Sequence, residues 1–413
     1  MIKYETQTLD NGLQVIVHED KSTNIAVVNV AYKVGSRDEQ EEHTGFAHLF
    51  EHLMFGGSLN IPSYDEPLQK AGGENNAYTT PDLTNYYLTV PANNIETGLW
   101  LESDRMLSLS FDPKVLEVQR KVVIEEFNQR YINQPYGDIW HKIREMVYKV
   151  HPYKWPTIGK DISHIETATM DLVKAFFKKY YVPNNAVLVI AGNIETAKAF
   201  SLAEKWFGSI PRGEEIIRSI PLEPKQEQHR MLEVHENVPA NAYYKTFNMG
   251  GRISKNYYVT DLLSDVLGRG KSSRLNEKLV ENDKIFSEIS AYVMGSFDPG
   301  LLVVSGKLTN GTDFSQAENG VSEVIDKILN VAPTKNELEK VKNQAISSLV
   351  FGEVQVLNRA MNLAYFALLG DPNLANTENE KLQAVETQDI LDQAQDLLTD
   401  NNSSTLYYHA NEN

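Results

Sequence analysis

The stretch His48-Leu49-Phe50-Glu51-His52 constrains the fold of this chain more than any other sequence feature. Histidines four residues apart lie on the same side of an α-helix, where both imidazoles can bind one metal ion. Glu51, directly before the second histidine, can then accept a proton from a water molecule at that ion. The segment is therefore predicted to be helical, and its surroundings are expected to supply a further ligand.

The residues around this stretch predict a helix with two distinct faces. At 100° per residue, the apolar side chains fall together on one face: Phe46, Leu49, Phe50, Leu53 and Met54. His48, Glu51 and His52 fall on the opposite face. The alternative is a surface helix with two histidines and a solvated glutamate. A chain with 10 histidines and 56 acidic residues contains this spacing by chance in roughly a few of every hundred cases, so the motif needs a third ligand.

A second helix provides the candidate for that ligand. It is predicted to begin at Asp112 and Pro113, a favoured N-cap residue followed by proline, and to run to about residue 134. On its helical projection, one face is formed by four valines and one glutamate: Val115, Val118, Val122, Val123 and Glu126. A carboxylate on an apolar face is expected to be paired or metal-bound, and Arg130 is the alternative partner. We predict Glu126 as the third ligand, with Glu125, on the charged face, as the alternative.

The composition narrows the chemistry of such a site. The chain contains no cysteine, so disulfides and thiolate ligands are excluded and any zinc ion must bind histidine and carboxylate groups. Two histidines, one glutamate and an open position are typical of catalytic rather than structural zinc. The sequence therefore predicts one Zn²⁺ per chain, bound by His48, His52 and Glu126, with Glu51 as the general base on the attacking water.

Charge and hydropathy exclude other classes of partner. A net charge of −17 argues against nucleic acid as a partner. No segment approaches the roughly 20 apolar residues that a membrane-spanning helix needs, so no membrane span is predicted. Residues 1–8 show no secretory signal pattern. We therefore expect a cytoplasmic protein, with a periplasmic or secreted mature form as the alternative.

β-rich segments and helices follow one another in the same order in both halves of the chain. In the first half, strand patterns cover residues 13–17, 25–32 and 185–192, and helix patterns cover residues 44–55 and 113–134. Residues 211–229 contain three prolines and are typical of an interdomain linker. Strand-like residues 231–249 then lead into a helix over residues 258–268. The order of elements therefore starts again after the linker.

The helix over residues 258–268 corresponds to the motif helix. Aligning the paired apolar residues of both helices places Asp261, Ser264 and Asp265 opposite the three polar residues of the motif. The sequence predicts an α+β fold of two homologous α/β-sandwich domains in tandem, each a mixed, mainly antiparallel sheet flanked by helices. We assign residues 1–211 to an N-terminal zinc-binding catalytic domain, 212–229 to a linker and 230–413 to a homologous C-terminal domain without a metal site.

These segments resemble the pitrilysin family of zinc peptidases, which includes insulin-degrading enzyme and mitochondrial processing peptidase. The resemblance covers nearly the whole chain. Residues 45–58 are similar to the family's H-x-x-E-H motif helix, and residues 120–127 to the segment that supplies the third ligand, which selects Glu126. The resemblance implies a processing-peptidase-like fold and a zinc metalloendopeptidase that cleaves short or unfolded peptides inside a closed clamshell chamber.

Residues 72–79 are similar to the family's active-site edge strand. In relatives this strand pairs with an extended substrate, which binds main chain and leaves side-chain selectivity loose. The resemblance implies that Asn76, Ala77 and Tyr78 bind the peptide substrate. A purely structural edge strand is the alternative.

The second half departs from the catalytically complete relatives. They carry an arginine and a tyrosine that can donate hydrogen bonds to a substrate carbonyl, whereas Val280 and Phe286 stand at the aligned positions here. We therefore predict a dimer, preferentially a heterodimer with a homologous chain that lacks the zinc motif and supplies the arginine and tyrosine. A homodimer is the alternative. Separately, Gln119 stands where relatives often carry a further glutamate, so the residues that support the zinc ligands are expected to differ from those of relatives.

Other functions are compatible with the same motif. Processing of a leader peptide is a variant of the peptidase function. A non-catalytic structural or interaction subunit of a heterocomplex is a different class, and an inert metal-binding module is another. Only a peptidase requires the carboxylate of Glu51 in addition to the metal ligands.

Overall fold

The computed structural model describes residues 1–411 and divides them into two compact units. The first unit comprises three segments: Met1–Ile132, His151–Pro221 and Phe351–Thr377. The second unit also comprises three segments: Asn133–Val150, Leu222–Val350 and the residues from Glu378 onward. From chain order alone, residues 1–211 and 230–413 were predicted as the two domains. In the structure, residues 133–150 of the first half belong to the second unit, and residues 351–377 of the second half belong to the first unit.

The first unit is built on a six-stranded mixed sheet. Its strands are β1 Glu5–Thr8, β2 Gln14–Glu19, β3 Ile25–Tyr32, β4 Glu74–Thr79, β5 Thr84–Pro91 and β6 Ala186–Gly192. They lie in the order β1-β2-β6-β3-β5-β4, and β2 and β6 form the parallel pair. β6 is buried at all seven positions, as its unbroken apolar sequence requires for a strand covered on both faces.

The second unit repeats this architecture on a five-stranded sheet. Its strands are β7 Arg230–Glu236, β8 Ala242–Asn248, β9 Phe286–Met294, β10 Leu301–Leu308 and β11 Ser403–Ala410. They lie in the order β7-β11-β8-β10-β9, with β7 and β11 parallel. Strand for strand, this order matches β2-β6-β3-β5-β4 of the first sheet, and the parallel and antiparallel pairs fall at the same places. The predicted α+β fold of two homologous units is confirmed.

Helices flank both sheets. In chain order they are α1 Phe46–Leu53, α2 Asp65–Lys70, α3 Ile95–Leu107, α4 Pro113–Phe127, α5 Ile139–Val147, α6 Ser163–Glu166, α7 Met170–Tyr180, α8 Thr196–Phe207, α9 Tyr257–Gly268, α10 Arg274–Asn276, α11 Phe314–Asn330, α12 Lys335–Gly352, α13 Val356–Leu368, α14 Leu374–Ala384 and α15 Thr387–Leu397. α5 packs on β7 and β11 of the second sheet, and α13 packs on β2, β3 and β6 of the first sheet. Each of these helices therefore belongs to the unit against which it packs rather than to the half of the chain in which it lies. Among the helices of residues 1–411, none combines the length with the apolar character that a membrane-spanning segment requires.

Helix α4 begins where the sequence predicts and ends earlier. The Asp112 side chain accepts the backbone N–H of Lys114 at 2.8 Å, which caps the first turn. The α-helical geometry stops at Phe127 rather than near residue 134, and one π-helical turn follows over Asn128–Ile132. Apolar spacing did not reveal this change because a single π turn alters the helical period only locally.

Candidate metal centre

A buried carboxylate fixes the N-terminus of the motif helix α1. Gly45, its N-cap, has a φ of 87°, and a Cβ there would lie 2.7 Å from the Ile158 carbonyl oxygen, so this position requires glycine. The Glu39 carboxylate accepts the backbone N–H groups of Gly45 at 3.0 Å and Ala47 at 2.8 Å. These bonds satisfy two donors that the first turn of a helix leaves without partners.

Glu39 is expected to make the stability of the protein depend on pH. Burial raises the pKa of its carboxyl from 4.5 to about 8, and the two N–H groups only partly oppose that shift. Between these values the unfolded chain loses the proton before the folded chain does. Stability therefore falls as pH rises, by at most about 1.4 kcal/mol per pH unit from this group.

We expect Glu39→Gln to remove this contribution, because an amide does not titrate. Urea unfolding at about pH 5.5 and about pH 7.5 measures the free energy of unfolding of both proteins. The stability advantage of the native chain over the variant should shrink at the higher pH. Equal differences at both pH values would show that Glu39 is ionised throughout.

Three donor atoms converge beside α1. His48 Nε2 and His52 Nε2 lie 3.6 and 3.5 Å from the same oxygen, Oε2, of Glu126. Ligand atoms of one tetrahedral zinc ion are separated by about 3.4 Å, so small side-chain rotations would bring all three within bonding distance. Burial lowers the pKa of His48 to about 4, which keeps its imidazole neutral and able to bind a cation. The donor set fits a zinc ion.

Glu126 has different partners on its two oxygens. Oε2 faces the histidines, whereas Oε1 forms an ion pair with Arg130 Nη1 at 2.8 Å. The hydrogen bond from His52 and the positive charge of Arg130 lower the pKa of Glu126, so it remains a carboxylate. The ion pair with Arg130 therefore coexists with the donor cluster. Glu125 is exposed and accepts from Gln129 Nε2 at 2.8 Å, outside the cluster.

The buried face of α4 that accounts for the inward position of Glu126 differs from the predicted one. Val118 and Val122, which the helical projection placed on the buried face, are 56% and 43% exposed. Leu116 and Val123 form the buried side of α4 instead. This side is rotated by roughly 90° from the predicted face, and Glu126 lies at its border. The helical projection therefore selected Glu126 although it predicted the buried face of α4 only in part.

A side chain that the sequence analysis missed holds the candidate base Glu51. Thr79 Oγ1 donates a hydrogen bond to Glu51 Oε2 at 2.6 Å. Burial raises the pKa of Glu51, and this hydrogen bond opposes the increase. Thr79 ends β4, two residues after Ala77, so strand alternation places both side chains on the face towards α1. A hydroxyl at that alternate position was the only sequence signal for this contact.

Strand β4 lies at the edge of the first sheet, as the resemblance implied. Among the strands of residues 1–411 it pairs with β5 alone, so its outer side can receive another strand. The Asn76 side chain accepts the backbone N–H of Ala77 at 2.8 Å. Tyr78 points to the opposite face, with its ring centroid 6.5 Å from that of Tyr87. Substrate binding by Asn76, Ala77 and Tyr78 stays a prediction.

The second unit lacks the donor set at the matching helix. α9 occupies the place of α1 and carries Asp261, Ser264 and Asp265. Phe286 is 1% exposed and belongs to the core of this unit, and Val280 packs against the same core. Neither side chain can donate a hydrogen bond to a substrate.

Three arginines of the second unit are already engaged in ion pairs within it. The pairs are Arg252 with Glu378, Arg269 with Asp265 and Arg274 with Glu337. Each of these guanidinium groups therefore already has a carboxylate partner.

Two family models match the chain. One, described as insulinase (peptidase family M16), matches residues 14–159. The other, described as peptidase M16 inactive domain, matches residues 167–345. The first match contains the donor cluster, and the second contains the helix at which the donor set is missing.

Two curated relatives cover nearly the whole chain, and a third covers about half of it. The chain is 29% identical to the zinc protease PqqE of Helicobacter pylori, over 98% of this chain and 92% of that protein. It is 25% identical to the uncharacterized zinc protease YmxG of Bacillus subtilis, over 97% of both chains. It is also 29% identical to the beta subunit of the mitochondrial-processing peptidase of Saccharomyces cerevisiae, over 51% of this chain and 45% of that subunit.

Solved structures share the fold over the same extent. A protease from Helicobacter pylori superposes with a TM-score of 0.93 at 28% identity and covers 99% of this chain and 100% of that chain. A structure from Pseudomonas fluorescens, described as peptidase M16 inactive domain, has a TM-score of 0.90 at 15% identity, with 100% and 98% covered. At that identity the second similarity shows the fold alone.

Fold and relatives together define a peptidase-type protein, and the donor cluster of His48, His52 and Glu126 lies in the first of its two homologous units. The chain belongs to peptidase family M16 and has the two-domain fold of that family. The predicted resemblance to the pitrilysin family is confirmed. The assignment of individual site residues stays a prediction.

Proposed function

We propose that this protein is a zinc-dependent metalloendopeptidase acting on short or unfolded peptides. The observation that carries the proposal is the convergence of His48, His52 and Glu126 on one point beside Glu51. This is a two-histidine, one-glutamate set that leaves a coordination position open. Relatives described as zinc proteases support the same chemistry.

Each residue of the centre has a distinct task in peptide hydrolysis. His48, His52 and Glu126 would hold the zinc ion, which when bound polarises the scissile carbonyl and acidifies water. Glu51 accepts the proton of the attacking water and delivers it to the leaving amine. Partial burial brings the pKa of Glu51 closer to neutrality, which suits a group that must both accept and release a proton.

Substrate binding is assigned to the open edge of β4. An extended peptide can pair with main-chain groups of residues 76–78, which selects for unfolded segments rather than for particular side chains. The same strand ends at Thr79, whose hydroxyl holds Glu51. Pairing of a peptide with β4 would therefore order the strand that also orients the base.

Thr79 is expected to act as a positioning residue. Thr79→Val keeps the shape of the side chain but removes the hydrogen bond to Glu51, which is worth about 1.5–3 kcal/mol when one partner is charged. We expect kcat to fall about tenfold to a hundredfold with KM nearly unchanged, and Thr79→Ser to restore most of the loss. Steady-state kinetics of the three proteins decide this. An effect on KM alone would assign Thr79 to peptide binding.

The second half of the active centre is proposed to come from another chain. Val280 and Phe286 cannot donate hydrogen bonds, and three arginines of the second unit are bound in ion pairs. We infer a heterodimer with a homologous chain that lacks the zinc motif and supplies an arginine and a tyrosine. A homodimer remains the alternative.

Peptide digestion tests both the peptidase activity and the heterodimer. A mixture of short peptides is incubated with this chain alone and with a co-expressed homologue, and mass spectrometry reads out new termini. We expect cleavage that a zinc chelator stops and that the homologue strongly increases. Full activity of the lone chain would overturn the heterodimer only. No cleavage in either preparation would overturn the peptidase and favour a non-catalytic subunit.

A further inference from the structure

A second group of metal-binding side chains lies on the sheet of the second unit. In the parallel pair of β7 and β11, His235 lies directly opposite His409. Glu233 is two residues before His235 on β7. Directly opposed residues of neighbouring strands, and alternate residues of one strand, point to the same face of a sheet. Glu233, His235 and His409 therefore share one face, as His48 and His52 share one side of a helix.

The donor atoms of these three residues are close together. One ligand atom from each lies within 4.8 Å of the other two, and His409 Nε2 is 3.4 Å from Glu233 Oε2. The two imidazole rings lie nearly parallel, with centroids 4.2 Å apart. His409 also contacts the Phe314 ring, at 4.6 Å between centroids, which limits its movement on one side.

The surroundings of His409 leave a ligand position open. Its Nε2 atom is buried and has no hydrogen-bond partner among residues 1–411. A buried ring nitrogen without a partner is costly, whereas a metal ion would use its lone pair. The Glu233 carboxylate supplies the negative charge that would favour a cation there.

We propose that Glu233, His235 and His409 form a second metal site, which takes a divalent transition metal such as Zn²⁺. Two imidazoles suit zinc, nickel and copper ions, whereas calcium and magnesium prefer ligand sets made of oxygen atoms alone. The rings must turn out of their parallel stack for both nitrogens to face one ion. His235 is exposed and His409 half-buried, so His235 has room for that rotation.

The site would link the edge strand β7 to β11. Among the described strands, β7 has β11 as its single neighbour, and it is the first strand after the segment predicted as the linker. A bound ion would add a cross-strand connection at this edge. The proposed function is therefore a structural tie that is independent of the peptidase chemistry.

Zinc stoichiometry of the full-length protein tests this site. Metal-free protein is dialysed against micromolar zinc, and the bound metal per chain is measured by mass spectrometry. We expect two zinc ions in the native chain, one in H235A/H409A, one in H48A/H52A and none in the fourfold variant. His43 is a partly exposed histidine outside both groups, so the His43→Ala variant should retain two zinc ions.

The zinc affinity of the second site gives a further readout. Glu233→Gln removes one ligand and should weaken binding of the second ion at least about tenfold. Equal zinc contents of the native chain and H235A/H409A would overturn the proposal. Because H235A/H409A keeps every residue of the proposed active centre, failure of this site leaves the peptidase proposal untouched. Should H48A/H52A fold poorly, the native chain and H235A/H409A alone decide.

Discussion

Glu51→Gln should retain zinc and lose peptide turnover by a factor of about 10²–10⁴. Glutamine has nearly the shape of glutamate, and its amide oxygen can still accept the hydrogen bond from Thr79. It cannot accept a proton from water, so the first step of hydrolysis loses its base. Glu51 is not among the three converging donors, so metal binding should be preserved.

Two matched variants sharpen this experiment. Glu126→Gln removes a donor and should lower both zinc content and turnover, whereas Glu125→Gln changes an exposed neighbour and should affect neither. Turnover is followed with a quenched fluorescent peptide, and zinc content is measured in the same samples. An inert metal-binding module would show equal behaviour of the native chain and Glu51→Gln.

Loss of Arg105 should produce the largest change in stability. Arg105 and Glu102 are buried to 1% and 0% exposure and form a two-point ion pair on α3. The guanidinium lies over the rings of Tyr64 and Tyr86, 4.5 Å from each centroid. Arg105→Met leaves a buried carboxylate without its cation, which costs about 3–5 kcal/mol.

This loss would reach the motif helix through Tyr86, whose hydroxyl donates to the Phe50 carbonyl oxygen at 3.3 Å. The double variant R105M/E102L removes both charges and should recover most of the lost stability, because well-packed apolar residues can replace a buried ion pair. Urea unfolding of the single and double variants measures this coupling.

Lys70→Met breaks an exposed pair with Glu66 and serves as the control, with only a small expected loss in the free energy of unfolding. A loss of that size for Arg105→Met would show that the buried pair contributes little.

The parts of the fold that follow from local pattern could be predicted from the sequence. The motif helix, the N-cap at Asp112 and the buried strand β6 each depend on residues within a few positions of one another. The repeat was visible because the same order of strands and helix returns after the linker. The strand orders of the two sheets bear this out.

Features set by tertiary contacts could not be predicted in this way. The contact of Thr79 with Glu51 joins residues 28 positions apart, and a single sequence does not show which hydroxyl will face which carboxylate. The buried face of α4 was misplaced because Val118 and Val122 are exposed despite being apolar. The exchange of α5 and α13 depends on packing that chain order does not encode.

Titration of zinc into metal-free protein tests the central claim most directly, namely that His48, His52, Glu126 and Glu51 form one metal-dependent hydrolytic centre. Peptide turnover is measured at each zinc addition, with the homologous chain present throughout and with H235A/H409A in parallel. We expect no turnover without metal and a rise that ends at one zinc ion per chain in H235A/H409A. Turnover in the metal-free protein, or turnover that zinc leaves unchanged, would show that hydrolysis does not depend on this centre.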